Sequence, residues 1–159
     1  MKEKFTHIGE RNQPKMVNVG DKEVTNRVAT AKATMFLGSA IIAHFEDKEL
    51  VTKKGPVFQT AIISGIQAVK KTSELIPMCH PLLINGVDID IEITDKENIE
   101  IVCTVSIEGK TGVEMEALTG ATIAALTVYD MCKSISQKMV IKEVKLVKKS
   151  GGKSDIKNE

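Results

Sequence analysis

From Arg27 onward the chain alternates, with Ala29, Ala31, Ala33 and Met35 on one side of the pattern and Thr30, Lys32 and Thr34 on the other. A period of two sends successive side chains to opposite faces of an extended chain, so "RVATAKATMF" predicts a strand with one apolar face. "GSAIIAHFED" follows as a short helix with Ser39 at the N-cap position, and Gly55-Pro56 in "TKKGPVF" signals a turn or loop. Between Val57 and Ile76, small or apolar residues recur at 57, 58, 61, 62, 65, 66 and 69. That is the i, i+3, i+4 spacing of an amphipathic helix, and Pro77 should end it. "NGVDIDIEIT" and "IEIVCTVSI" alternate again on either side of the short Asp95 to Asn98 connection, predicting a hairpin with one wet face. The second half of "EGKTGVEMEALTGATIAALTVYDMCKSISQK" is rich in Ala, Leu and Ile and predicts a long helix; a last strand from Val140 to Val147 precedes a polar Gly-Gly-Lys tail.

The order strand, helix, strand, strand, helix, strand is that of an α+β, ferredoxin-like split βαβ unit, an antiparallel sheet with two long helices on one face. A length of 159 residues fits one domain, here expected to span the whole chain with a flexible arm over about 1–15 and a tail from about 150. Three widely spaced cysteines without a CxxC pair form neither a disulfide framework nor a zinc finger. "MKEKFTHIGERNQPK" has no apolar stretch of signal-peptide type, and no segment approaches the ~20 apolar residues of a membrane span. A reduced, cytoplasmic protein is therefore expected.

A formal net charge of +1 supplies no global field for polyanions, so an anion site must come from local clusters at Lys53-Lys54, Lys70-Lys71 and Lys145 to Lys153. Aromatic residues make up 3% of the chain, too few for the stacking platforms that bind single-stranded nucleic acid.

Four stretches carry candidate chemistry. In "LIPMCHPLL", Cys79 and His80 stand between two prolines. Neighbouring residues usually point apart and no further metal ligand lies nearby, so spacing alone favours a rigid ledge over a zinc site or a Cys–His couple. In "YDMCK", Asp130 and Lys133 share a helix face at i, i+3, and the apolar residues around them imply partial burial and tuned pKa values. "GKTGVEMEALTG" lacks the GxxxxGK[ST] spacing of a phosphate loop; Glu114 and Glu116 suit the helix dipole or the hydrogen-bonding edge of a guanine-like ring. "KKGPVF" and "KKSGGKS" set lysines beside glycines, where a pliable backbone lets an ammonium close over a phosphate.

Together these blocks resemble the cyclic pyranopterin monophosphate synthase family, accessory protein C of molybdenum cofactor biosynthesis. The resemblance runs over nearly the whole chain: "FTHI" and "KMVNV", then "KKGPVFQTAIISGIQAVKKTSELIPMCHPL", "GKTGVEMEALTGATIAALTVYDMCK" and "KSGGKS". It implies a lyase that rearranges a 3',8-cyclised dihydroguanosine triphosphate, releases pyrophosphate and closes the cyclic phosphate of a pyranopterin. It also implies a homohexamer, a trimer of dimers with active sites where subunits meet, no resident cofactor, and Mg²⁺ only as a companion of the triphosphate. Matched position by position, the catalytic residues implied are Asp130, Lys133 and Lys54. The substrate-binding residues implied are Arg27, Met78, Cys79, His80, Glu114, Met115, Glu116, Lys149 and Lys153. "VTKKGP" is shorter than the family pattern before the lysine loop, and Thr25-Asn26 fall where sequences vary. By residue chemistry alone, a nucleotide-sensing module of the same fold and, more distantly, a nucleic-acid binder stay open.

Overall fold

The computed structural model describes residues 13–158; most of the expected N-terminal arm, with its "FTHI" motif, lies outside the described residues. In chain order the elements are β1 (Thr25–Phe36), α1 (Ser39–Ile42), β2 (Val51–Thr52), β3 (Gly55–Pro56), α2 (Val57–Lys70), α3 (Thr72–Leu75), β4 (Gly86–Ile93), β5 (Asn98–Gly109), α4 (Glu114–Cys132), β6 (Val140–Ser150) and β7 (Ile156–Lys157). The main sheet runs β4-β5-β1-β6-β7 with every neighbouring pair antiparallel, and α2 and α4 pack together on it. This is the ferredoxin-like α+β arrangement that the alternation of strand and helix patterns predicts.

Register explains why β1 sits in the middle. Ala29, Ala31, Ala33 and Met35 face Val105, Cys103, Ile101 and Ile99 across the β1–β5 ladder, and all eight are buried. Above them lies the alanine face of α4, with Ala117, Ala121, Ala124 and Ala125 fully enclosed. Small side chains on both layers let the helix come close to the sheet, and Gly120 marks the tightest point. A Cβ there would lie 2.6 Å from the Cys103 Sγ and 2.7 Å from the Val69 Cγ2. Each fully buried Met, Ile or Val in this layer contributes roughly 1.5–3 kcal/mol of transfer free energy. On the strands' other face Lys32 pairs with Glu100 at 2.9 Å and Thr30 bonds Thr104 at 3.0 Å, the wet side of the pattern.

Two local expectations change. The helix expected from Val57 to Ile76 breaks at Lys71 (φ −110°, ψ 10°), and α3 follows from Thr72, whose hydroxyl donates back across the break to the carbonyls of Ala68 and Val69. Ser39 is the first residue of α1 rather than its cap; Gly38, at φ 85°, takes the cap position, with no side-chain bond to the helix. The β4–β5 connection is closed by Asp95, whose carboxylate accepts from the backbone N–H groups of Glu97 and Asn98 and from the Asn98 amide.

At the far end, Ser150 still pairs with Val28, residues 151–155 turn, and β7 pairs back onto Lys148 and Lys149. Gly151 makes this turn possible. Its φ is +81°, and a Cβ would collide with the Asn26 carbonyl oxygen. The Thr25 hydroxyl donates to the Gly151 carbonyl at 2.7 Å, and the Gly151 N–H donates to Asp155 at 3.1 Å. No described helix is long and apolar enough to cross a membrane.

Candidate active site

The opposite ends of α4 carry the two groups of chemistry-bearing residues. At its N-terminal end a cleft of about 580 Å³ is lined by Arg27, Met78, Cys79, His80, Glu114, Met115, Glu116, Lys149 and Lys153. All nine expected substrate-binding positions therefore meet in one place, delivered by β1, the segment after α3, the first turn of α4, β6 and the Gly151 turn. Periodicity placed none of them there. The cleft also takes in Val17, Val19, Lys22, Thr111 and Ser154. Of these, Val17 and Val19 had a signal only in the "KMVNV" block, Thr111 in "GKTGVEMEALTG" and Ser154 in "KSGGKS", while Lys22 was not singled out.

Internal bonds hold the cleft's polar groups in place. The Arg27 Nε donates to the Gly109 carbonyl at 2.9 Å, which ties β1 to the end of β5 and leaves Nη1 beside Gly152 at the cleft. Lys149 pairs with Glu114 at 3.1 Å, so one acid of the first turn is already neutralised. The His80 Nε2 donates to the Val17 carbonyl at 2.8 Å, pinning the N-terminal segment along the cleft. Burial raises the Cys79 thiol above the usual range, with the Glu116 charge adding to it, which favours the thiol over the thiolate. Four cationic side chains, Lys22, Arg27, Lys149 and Lys153, thus stand against two carboxylates, and the cleft favours an anion.

Glu116 is the exception among these charges, being only 4% exposed. Burial pushes its carboxyl above the usual glutamate range; its own backbone N–H partly offsets this, and Glu114 nearby adds repulsion. A raised folded-state pKa means that stability falls as the pH rises from the ordinary glutamate value through the folded one, above which the full cost of ionising Glu116 is present. Glu116→Gln should therefore raise the melting temperature at about pH 7–8, and the gain should fade as the pH falls toward the ordinary glutamate value of about 4. Melts across that range check it; an equal shift at every pH would contradict it.

At the C-terminal end of α4, Lys54, Asp130 and Lys133 form a compact trio. The Lys54 Nζ donates to the Asp130 Oδ2 at 2.6 Å and to its backbone carbonyl at 3.1 Å, while the Lys133 Nζ donates to Oδ1 at 2.7 Å. The three catalytic positions implied by the family resemblance are thus in direct contact. Partial burial is not what places them there, since the Asp130 and Lys133 side chains are about half exposed (52% and 51%). Val128, Met131 and Cys132 turn inward, and position 130 faces out. The bonds from Lys133 and then Lys54 hold the Asp130 carboxyl down at about 2, and the same contact raises Lys133 above the usual lysine range. Beside the trio lies a second cavity of about 520 Å³, lined by His44, Leu50, Val51, Lys53, Met131 and Ile135 among others.

At a rise of about 1.5 Å per residue, Glu116 and Asp130 stand about 21 Å apart along α4. Within one copy of the chain the cleft and the trio are separate. Among the described residues no group of three or more His, Cys, Asp or Glu side chains is placed to hold a metal ion.

Fold and site together define a ferredoxin-like α+β protein with an anion-favouring cleft and an ammonium–carboxylate–ammonium trio on one long helix. The chain belongs to the MoaC family, whose model matches residues 16–152. It is 54% identical to the cyclic pyranopterin monophosphate synthase of Helicobacter pylori (strain J99 / ATCC 700824), with 94% of each chain covered. The enzyme of the same name from Campylobacter jejuni subsp. jejuni serotype O:23/36 (strain 81-176) is 50% identical, over 95% of this chain and 96% of its own. A "molybdenum cofactor biosynthesis bifunctional protein" of Synechocystis sp. is also 50% identical over 96% of this chain, which spans 45% of that longer protein.

Proposed function

We propose that this protein is the lyase that converts 3',8-cyclised dihydroguanosine triphosphate into cyclic pyranopterin monophosphate, an early step of molybdenum cofactor biosynthesis. The observation that carries the reading is the meeting of all nine implied binding residues in one cation-rich cleft, on a chain about half identical to enzymes of that name. Arg27, Lys149 and Lys153 hold the triphosphate and offset charge on the departing pyrophosphate. Glu116 and Met115 face the purine-derived ring, Met78 and Cys79 wall the pocket, and His80 lies toward the sugar-phosphate end. Closing the cyclic phosphate joins a substrate hydroxyl oxygen to the α-phosphorus, breaks the bond to the bridging oxygen of the β-phosphate, and leaves the hydroxyl proton for a base.

Asp130 and Lys133 are the proton-handling pair. In the free protein both Asp130 oxygens are occupied and Lys133 is firmly protonated. A polyanion that draws Lys54 away frees one carboxylate oxygen to accept a proton and weakens the hold on Lys133, which is then able to donate. Because cleft and trio stand about 21 Å apart along one helix, a single substrate reaches both only if the trio comes from another copy. We therefore place each centre between subunits; the hexamer, a trimer of dimers, that the family resemblance implies would supply such a shared centre, working in the cytoplasm without a resident cofactor, with Mg²⁺ at most escorting the triphosphate.

Incubating the purified protein with the cyclised nucleotide should release pyrophosphate in step with pterin formation. Tight binding without pyrophosphate would identify a sensor instead.

A further inference from the structure

We propose that Glu49 is a positioning residue for Lys54: its carboxylate clamps the Lys53-Lys54 hairpin to the first turn of α2 and so aims the Lys54 ammonium at Asp130. The proposal rests on the catalytic reading of the Lys54, Asp130 and Lys133 trio.

The helix itself shows the need for such a clamp. α2 begins immediately after the hairpin, with Pro56 at its cap position, no side-chain bond from that cap and no acid in its first turn. Its leading N–H groups nevertheless have partners. Val57 donates to the Leu50 carbonyl at 2.8 Å, and the next two donate to Glu49, Phe58 to Oε1 at 2.9 Å and Gln59 to Oε2 at 3.1 Å. The Leu50 N–H adds a third bond to the same carboxylate at 2.8 Å. One acid thus supplies the cap and the counter-charge that a helix N-terminus favours, from nine and ten positions upstream.

What Glu49 joins matters for the trio. It opens the strand pair Val51–Thr52 and Gly55–Pro56, whose tip is Lys53-Lys54. The Thr52 hydroxyl accepts from the Lys54 N–H at 3.1 Å and donates to the Gly55 carbonyl at 3.3 Å, so the tip is braced on itself. Glu49 braces the base. Glu49 is in turn set by a tight turn in which it exchanges two backbone hydrogen bonds with Glu46, both 2.9 Å, around Asp47 (φ 47°) and Lys48 (φ 66°). Two successive non-glycine residues in the left-handed region are strained, and such strain persists only where surrounding bonds hold it. The Glu49 charge also helps raise the Cys132 thiol, second to burial, which places the carboxylate near the end of α4 that carries Asp130 and Lys133. Without the clamp the hairpin swings on Leu50, and the Lys54 ammonium loses its bonds to Asp130.

Steady-state kinetics on the full chain test this with E49A, E49Q, K54A and the double variant E49A/K54A. E49A should lower kcat by about ten- to a hundredfold, the scale of a misplacement near 1 Å. E49Q keeps the oxygen that accepts from Leu50 and Phe58, so it should recover all but about two- to threefold of that loss. In the K54A background the E49A loss should vanish, since a positioning residue has nothing left to position. A helix cap with a purely structural role would instead multiply its loss onto that of K54A, or leave kcat intact, and either result overturns the proposal. Should E49A fail to fold, the smaller E49Q loss must vanish in K54A by the same cycle. A K54A protein that turns over normally would bring down the trio reading itself, and the role of Glu49 with it; an impaired K54A with an additive E49A would bring down the positioning role alone.

Discussion

Lys133→Ala is expected to lower kcat by about 10²–10⁴-fold, the usual worth of a positioned proton-transfer group, while the melting temperature stays close to that of the unmodified protein. Lys133 is half exposed at the end of α4 and its ammonium contacts a carboxylate that Lys54 also holds, so the fold loses little when it goes. Asp130→Asn should be comparably damaging, because it leaves two ammonium groups facing a neutral amide. A carboxyl held at about 2 stays ionised throughout the range in which enzymes are assayed, so neither limb of a pH–rate profile between about pH 5 and 9 should belong to free Asp130. The stabilisation its contacts provide is fully present above the ordinary aspartate value and is lost only as the pH falls through about 2. Its exposure keeps that contribution small. In Lys133→Ala the Asp130 titration, followed by carboxyl-carbon NMR, should move up toward the ordinary aspartate value, because Lys133 is the largest cause of its depression. A variant with full turnover would remove Lys133 from the chemistry.

Gly151→Ala should strongly weaken substrate binding from outside the trio. The new Cβ would collide with the Asn26 carbonyl oxygen, which is backbone and cannot step aside, and alanine at φ +81° adds strain of roughly 1–2 kcal/mol. The turn must lift away from β1, breaking the Thr25 to Gly151 bond and releasing the segment that carries Lys153 beside Lys149. Each charge-assisted hydrogen bond lost to the triphosphate costs about 1.5–3 kcal/mol, so substrate Kd should rise by about tenfold to over a hundredfold. The trio at the other end of α4 is untouched, so single-turnover rates at saturation should fall much less than affinity. Isothermal titration paired with single-turnover assays separates the two; equal losses in both would show that the damage is not confined to binding.

The fold was legible where one physical rule governs a whole element. Alternation in β1 and β5 reflects a sheet with one covered face, and the unbroken Ala-rich run of α4 reflects a helix buried along its length. The rule failed where a single residue decides the outcome. The backbone leaves the α2 helix at Lys71, and Gly38 takes the cap position that Ser39 suits by residue type, neither of which an apolar period can register. Asp130 looked enclosed because Val128, Met131 and Cys132 are apolar, yet these lie on the face turned away from it. The cleft draws on segments from Val17 to Ser154, so no spacing rule could gather it. Only the family resemblance named its lining in advance. Glu49 left no mark at all, since its partners are fixed by a turn and a hairpin rather than by proximity along the chain.

Subunit mixing tests the central claim most directly. Arg27→Ala disables the cleft and Lys133→Ala disables the trio, and each variant alone should be nearly inactive. If cleft and trio meet across a two-fold interface, every mixed pair contains one doubly impaired centre and one intact centre. Random reassembly of equal amounts should then restore roughly a quarter of the unmodified activity. Activity that stays at the mean of the two variants after full exchange of subunits would mean that each chain works with its own residues only, which contradicts a centre shared between subunits.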